Sequence, residues 1–252
     1  MFTIEQRDRI RGRILAMARA DSRIVAGALI GSAAHGPGDR WSDLDLGFGV
    51  GEVATPGDVL ADWTPRLERE CGAVHLFDLA SGAAIYRVFL FPGALQVDLS
   101  FAPAAAFGAR GPKFKLLFGT AVEHPRAEPP SAPHLFGLGV HHAVRARFCL
   151  ERGRLWQAQH WIGEMREIGL TLACRRRGLA TAQGRGYDDL PAEVARPFED
   201  TLVRTLDRAE LLRALRAAID GLLREAGEAR VLAEKTEDQL RELSSVNSPA
   251  PN

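Results

Sequence analysis

Cysteine is scarce in this chain: Cys71, Cys149 and Cys174 are the only three among 252 residues. They are too few and too scattered for a disulfide framework or a cysteine-based metal cluster. A reducing cytoplasm is therefore the expected location. No apolar run approaches the roughly 20 residues that span a bilayer. The opening segment "MFTIEQRDRIRGRILAMARA" also lacks the ordered basic, apolar and small-residue regions of a signal peptide. Net charge is missing too, since Lys plus Arg and Asp plus Glu each number 32. No global field draws the chain to nucleic acid or to an anionic membrane, so any polyanion site must be local. His124, His134, His141 and His142 show no ligand spacing with acids or cysteines and are expected on surfaces or at helix ends.

What is present is ordinary for a globular protein, 46% hydrophobic and 25% charged residues, enough for one large domain or two modest ones. Apolar positions at Ile4, Ile10, Ile14, Leu15 and Ala18 among arginines predict an amphipathic first helix with a basic outer face. "RIVAGALIG" reads as a buried strand, "SDLDLGFGV" alternates with period two, and Pro56 opens a helix through Glu70. "AVHLFDLA", "AIYRVFLF" and "ALQVDLSF" read as three more strands. The Pro-rich segment "EHPRAEPPSAPH" ends this half. Beyond it the apolar residues recur at helical spacing, with Gly178 a C-cap and Pro191 a helix start. The expectation is an α+β chain: a domain over 1–125 with a mixed sheet and flanking helices, a linker at 126–134, a helical bundle at 135–243 and a disordered tail at 244–252.

One stretch stands out, "LIGSAAHGPGDRWSDLDLGFGV". Asp43 and Asp45 alternate with apolar residues, so both carboxylates face the same side of a strand, about 7 Å apart along the backbone. Two like charges so placed repel, and burial would drive one to protonate unless a cation compensates both. Mg²⁺ suits oxygen ligands of this kind and completes its shell with waters and substrate phosphates. A third carboxylate, Asp98, sits mid-strand in "LQVDLSF". Three such groups can serve a two-metal site for phosphoryl or nucleotidyl chemistry. Gly31 lets the backbone approach a phosphate closely, and Ser32 offers N–H and hydroxyl at a helix start. Taken singly, Asp43 and Asp45 would read as a solvent-facing strand edge and Ser32 as a plain helix cap.

Gly-Ser, ten intervening residues, then Asp-Leu-Asp, with a further strand aspartate downstream, resembles the signature of the DNA polymerase β-like nucleotidyltransferase superfamily. "GSAAHGPGDRWSDLDL" is similar to the form found in antibiotic nucleotidyltransferases and in minimal bacterial nucleotidyltransferases, and the resemblance covers residues 22 to 101. It implies that Gly31 and Ser32 bind the terminal phosphates of the nucleotide. Asp43 and Asp45 would then ligate both metals, and Asp98 would complete the metal nearest the nucleophile. The implied co-substrates are two Mg²⁺ ions and ATP or another nucleoside triphosphate. His35 departs from the pattern, standing where many relatives carry arginine.

The segment "HHAVRARFCLERGRLWQAQHWIGEMREIGLTLACRRRGL" resembles the helical partner domain of kanamycin-type nucleotidyltransferases and the related HEPN-type bundles. Residues 142 to 186 hold nine arginines against three acids, a local excess of six. Arg154 and Arg166 are the expected triphosphate contacts, with a solvated helix face as the alternative for any one arginine. Glu164 is the candidate base for the acceptor hydroxyl, with an exposed partner of Arg154 or Arg166 as its alternative.

The expected reaction transfers a nucleoside monophosphate, AMP from ATP, to a hydroxyl of a small molecule such as an aminoglycoside or lincosamide-like antibiotic, with release of pyrophosphate. The arginine excess weakens the aminoglycoside case, and the neutral balance argues against a nucleic-acid acceptor. A protein acceptor of the toxin–antitoxin kind and a homodimer stay open. So do a degenerate nucleotide sensor and a HEPN-type ribonuclease built on Arg154 and His160. Against the ribonuclease, six helical residues turn those two side chains about 240° apart.

Overall fold

The computed structural model describes residues 1–34, 39–109, 111, 113–125 and 128–245, and the chain divides into two compact units, Met1–Glu128 and Pro129–Asn252. His35, two residues of the expected linker and nearly all of the expected tail lie outside the described residues. The fold class is α+β: a mixed six-stranded sheet with flanking helices, followed by an all-helical part.

The first unit runs α1 (Ile4–Ala20), β1 (Ile24–Ile30), a 3-10 turn (Gly31–Ala34), β2 (Leu44–Val50), α2 (Pro56–Cys71), β3 (Val74–Ser81), β4 (Ala84–Phe91) and β5 (Leu95–Pro103). It ends with β6 (Gly108–Ala109), β7 (Phe114–Phe118) and β8 (Val122–Glu123). Both helices begin on capping boxes, Thr3 with Gln6 and Thr55 with Asp58, which satisfy backbone donors that a first turn leaves open. The strand order is β3-β4-β5-β2-β1-β7, with β2 and β5 parallel and the other neighbours antiparallel, while β6 and β8 pair separately.

Alternation assigns the two faces of this sheet. Leu44, Leu46, Phe48, Leu99 and Phe101 point to one side, where they form the main core with α1 and α2. Trp63 of α2 stacks edge-on against Phe48 and Phe101 at 5.4 and 5.3 Å, and its indole N–H donates to Asp21 at 2.8 Å. The intervening residues, Asp45 and Asp98 among them, face the other side.

Two features of the first unit differ from the sequence expectation. Arg7 belongs to the interior and not to the basic outer face of α1. It is 4% exposed and donates to the Asp39 and Ser42 carbonyls at 2.7 and 3.1 Å, because the loop before β2 presents those backbone oxygens to that side of the helix. The strand β7 was not expected either: four apolar residues and one lysine do not alternate in "FKLLF", and its place is set by pairing with the distant β1.

The second unit contains α3 (Ala132–Glu151), α4 (Leu155–Arg176), α5 (Ala192–Glu199), α6 (Arg208–Arg224), a 3-10 turn (Gly227–Ala229) and α7 (Arg230–Leu243). Helix α3 begins inside the segment read as linker, since Ser131 accepts the His134 N–H and caps the first turn. Its core joins Phe136, Ile162, Met165, Leu172, Leu215 and Leu222. Part of the arginine excess is absorbed within this unit. Buried Arg147 pairs with Glu151 and donates to the Leu243 and Ser245 carbonyls at the end of α7, while Arg176 and Arg177 converge on buried Glu225 at 3.0 and 3.1 Å.

Candidate functional site

The parallel pairing of β2 with β5 sets Asp45 directly opposite Asp98, and Asp43 sits one residue before β2 begins. One carboxylate oxygen from each of Asp43, Asp45 and Asp98 lies within 4.8 Å of the others, and all three residues are half-buried. Burial pushes the Asp98 carboxyl above the ordinary carboxylate range and the charge of Asp43 pushes it further, while the Gln96 amide, donating at 3.1 and 3.3 Å, works against that rise. Three carboxylates held this close by rigid strands form an oxygen-rich set that suits a hard divalent cation, the donor chemistry Mg²⁺ takes.

Gly31 and Ser32 follow β1 on the strand next to β2. Gly31 has φ of +65°, the left-handed region, and a Cβ there would collide with the Asp45 carboxylate. The glycine therefore makes room for Asp45. Its own N–H is engaged by the Lys113 carbonyl at 3.1 Å, so the role of the residue is conformational. Ser32 lies in a four-residue 3-10 turn, not at the start of an α-helix, and its buried hydroxyl has no hydrogen-bond partner among the described residues. A buried polar group left without a partner costs about 1–3 kcal/mol. Such a group beside a carboxylate cluster is the kind of vacancy a ligand oxygen fills.

Three residues that were not among the expected site residues shape this place. Arg7 holds the backbone of the loop that delivers Asp43, Gln96 bonds Asp98, and Trp41 stands 62% exposed with the Arg40 guanidinium 4.6 Å above its ring. Trp41, Ser42, Asp43 and Gln96 together line a shallow depression. Only Gln96 had a signal in the sequence, two residues from Asp98 on the same strand face.

The remaining candidates belong to the helical unit. Arg154 is the N-cap residue of α4 and is exposed, whereas His160 lies inside that helix against Trp161, at 4.9 Å between ring centroids. The two are placed at different levels of one helix. Glu164 is half-buried and forms no ion pair among the described residues; its charge acts on His142, opposing the burial that lowers the His142 pKa. Arg166 is also half-buried and acts on the phenol of Tyr187. Glu164 and Arg166 thus work in different surroundings.

No protein-family model matches the chain, and no curated protein matches its sequence. Among solved structures it aligns with an aminoglycoside 6-adenyltransferase from Bacillus subtilis, at 13% identity over 91% of this chain and 95% of that one, with a TM-score of 0.37. A likeness at that level carries no functional argument, and the reading that follows rests on the residues themselves. No helix among the described residues is long and apolar enough to cross a membrane.

Proposed function

We propose that the chain is a metal-dependent nucleotidyltransferase that moves a nucleoside monophosphate, AMP from ATP, onto the hydroxyl of a small molecule. The observation that carries this reading is the cluster of Asp43, Asp45 and Asp98 on one sheet face beside the glycine-serine turn. Bound Mg²⁺ would neutralise phosphate charge and lower the barrier to hydroxyl attack. Asp43, Asp45 and Asp98 would hold it, and Ser32 would donate its hydroxyl to a terminal phosphate oxygen. In the transfer, the acceptor oxygen bonds to the α-phosphorus, the bond from that phosphorus to the bridging oxygen breaks, and pyrophosphate leaves. The hydroxyl proton passes to the Asp98 carboxylate. Glu164 is the second proposed base, and Arg154 and Arg166 are proposed contacts of the triphosphate.

The test incubates the full chain with each nucleoside triphosphate, Mg²⁺ and a panel of hydroxyl acceptors, and follows pyrophosphate. The reading requires acceptor-dependent release that chelation stops and Asp45→Asn abolishes. Release indifferent to Asp45, or RNA cleavage halted by His160→Ala, would falsify it.

A further inference from the structure

The strand register carries the carboxylate face onward to the edge of the sheet. Phe77, Val88, Asp98 and Asp45 lie in one row across β3, β4, β5 and β2, and Leu79, Tyr86 and Ser100 lie in the next. Val88 is buried, but Phe77 is 49% exposed and Leu79 is 57% exposed, and Leu90, on the same face of β4, is 39% exposed. Large apolar groups left this open, continuous with a polar site, mark a binding surface. The face is also free of added negative charge. Neither β3 nor β4 places a carboxylate on it, because their one acid, Asp78, points to the helix side, where Arg87 holds it at 2.6 Å.

Direction follows from the chemistry of transfer. The Gly31–Ser32 turn lies on the β1 side of Asp45, which puts the departing pyrophosphate there. In-line displacement brings the attacking oxygen from the opposite side, over β5 and β4. The acceptor therefore rests where the sheet is apolar.

We propose that Phe77, Leu79, Tyr86 and Leu90 form the acceptor platform, and that the acceptor carries an uncharged apolar or aromatic face beside its nucleophilic hydroxyl and not a set of ammonium groups. This inference rests on the nucleotidyl-transfer reading above. A polyammonium acceptor would need carboxylates along its length, and the platform supplies only the triad at one end.

The test titrates the full chain, with its leucine methyls labelled for NMR and a non-hydrolysable ATP analogue and Mg²⁺ present, using two pairs of probes. Phenylethyl β-glucoside and chloramphenicol are uncharged hydroxyl compounds with an aryl face; kanamycin and neamine are polyammonium. The first pair should shift the Leu79 and Leu90 methyl signals, compete with each other, and bind about tenfold more weakly to Leu79→Ser, the loss expected for one exposed apolar contact removed. Kanamycin and neamine should leave those signals in place. The proposal is overturned if the polyammonium pair binds more tightly there, or if neither pair moves the two leucines. It is equally overturned if sedimentation shows that the wild type is a dimer which Phe77→Ser dissociates, since a second copy then covers the face. Nucleotide binding is read in the same samples. Its loss in Asp45→Asn with the aryl probes still unbound isolates failure of the platform, whereas nucleotide binding unaffected by Asp45→Asn isolates failure of the transfer reading.

Discussion

The helical unit pairs its buried acid with arginines, whereas one face of the sheet unit gathers acids together. In the helical unit, Glu225 is 3% exposed and receives Arg176 and Arg177, and Arg147 is matched by Glu151 and two backbone carbonyls. In the sheet unit, carboxylate lies opposite carboxylate across β2 and β5, and a serine hydroxyl beside them is buried without a partner among the described residues. Three carboxylates gathered at one sheet face are the pattern of a site arranged for a ligand at some cost in stability.

Asp45→Asn should break that contrast most visibly, lowering transfer on the order of a thousandfold, the scale of several kcal/mol of lost charge stabilisation, in a pyrophosphate-release assay. Asp98→Asn sharpens it from the other side. Because the folded state raises the Asp98 pKa, its contribution is favourable below the ordinary carboxylate value and becomes a cost as pH rises through the folded one. At neutral pH the amide removes that cost, so the metal-free variant should melt higher than wild type while losing activity; a lower melting temperature would contradict a burial cost of the ionised Asp98. Glu225→Ala probes the neutralised region. It should destabilise the chain by about 2 kcal/mol, below the range for a fully buried pair because Arg176 is partly exposed, with turnover per folded molecule unchanged.

A smaller effect separates structural from functional carboxylates in the sheet unit. The Arg23 guanidinium beside Asp21, with the Trp63 indole, pulls the Asp21 pKa down to about 2. A depressed carboxyl stabilises the fold above its unfolded value near 3.8 and loses that contribution as pH falls toward about 2. Asp21→Asn should therefore remove on the order of 2 kcal/mol at neutral pH and flatten the acid limb of a denaturation curve. An unchanged acid limb would show that this pair carries no linkage.

Much of the architecture was legible because it is local. Period-two alternation marked β2, short apolar runs marked β1 and β3 to β5, and Pro56 marked the start of α2. The paired aspartates announced themselves as charge within an apolar strand. What the chain alone did not disclose depends on distant partners. Nothing near Asp98 states that it lies at the level of Asp45; that is a property of the β2–β5 register. Arg7 reads as one more cation on a basic helix until the carbonyls of Asp39 and Ser42 appear beside it. Gly31 was likewise half visible: a turn glycine suggests a close approach of a phosphate to the backbone, whereas the space beside its Cα is occupied by the Asp45 carboxylate and its N–H is engaged by Lys113.

The Arg7 clamp also bears on how this region could change over generations. A guanidinium grips main-chain oxygens, which every residue possesses, so the loop before β2 is held without reference to the side chains at Arg40 and Trp41. Those two exposed positions are thereby free to vary the surface beside the carboxylates while the path leading to Asp43 stays as it is. Mutational drift at the rim is uncoupled from the placement of Asp43, so the surroundings of the carboxylate cluster can change while the cluster itself stays in place.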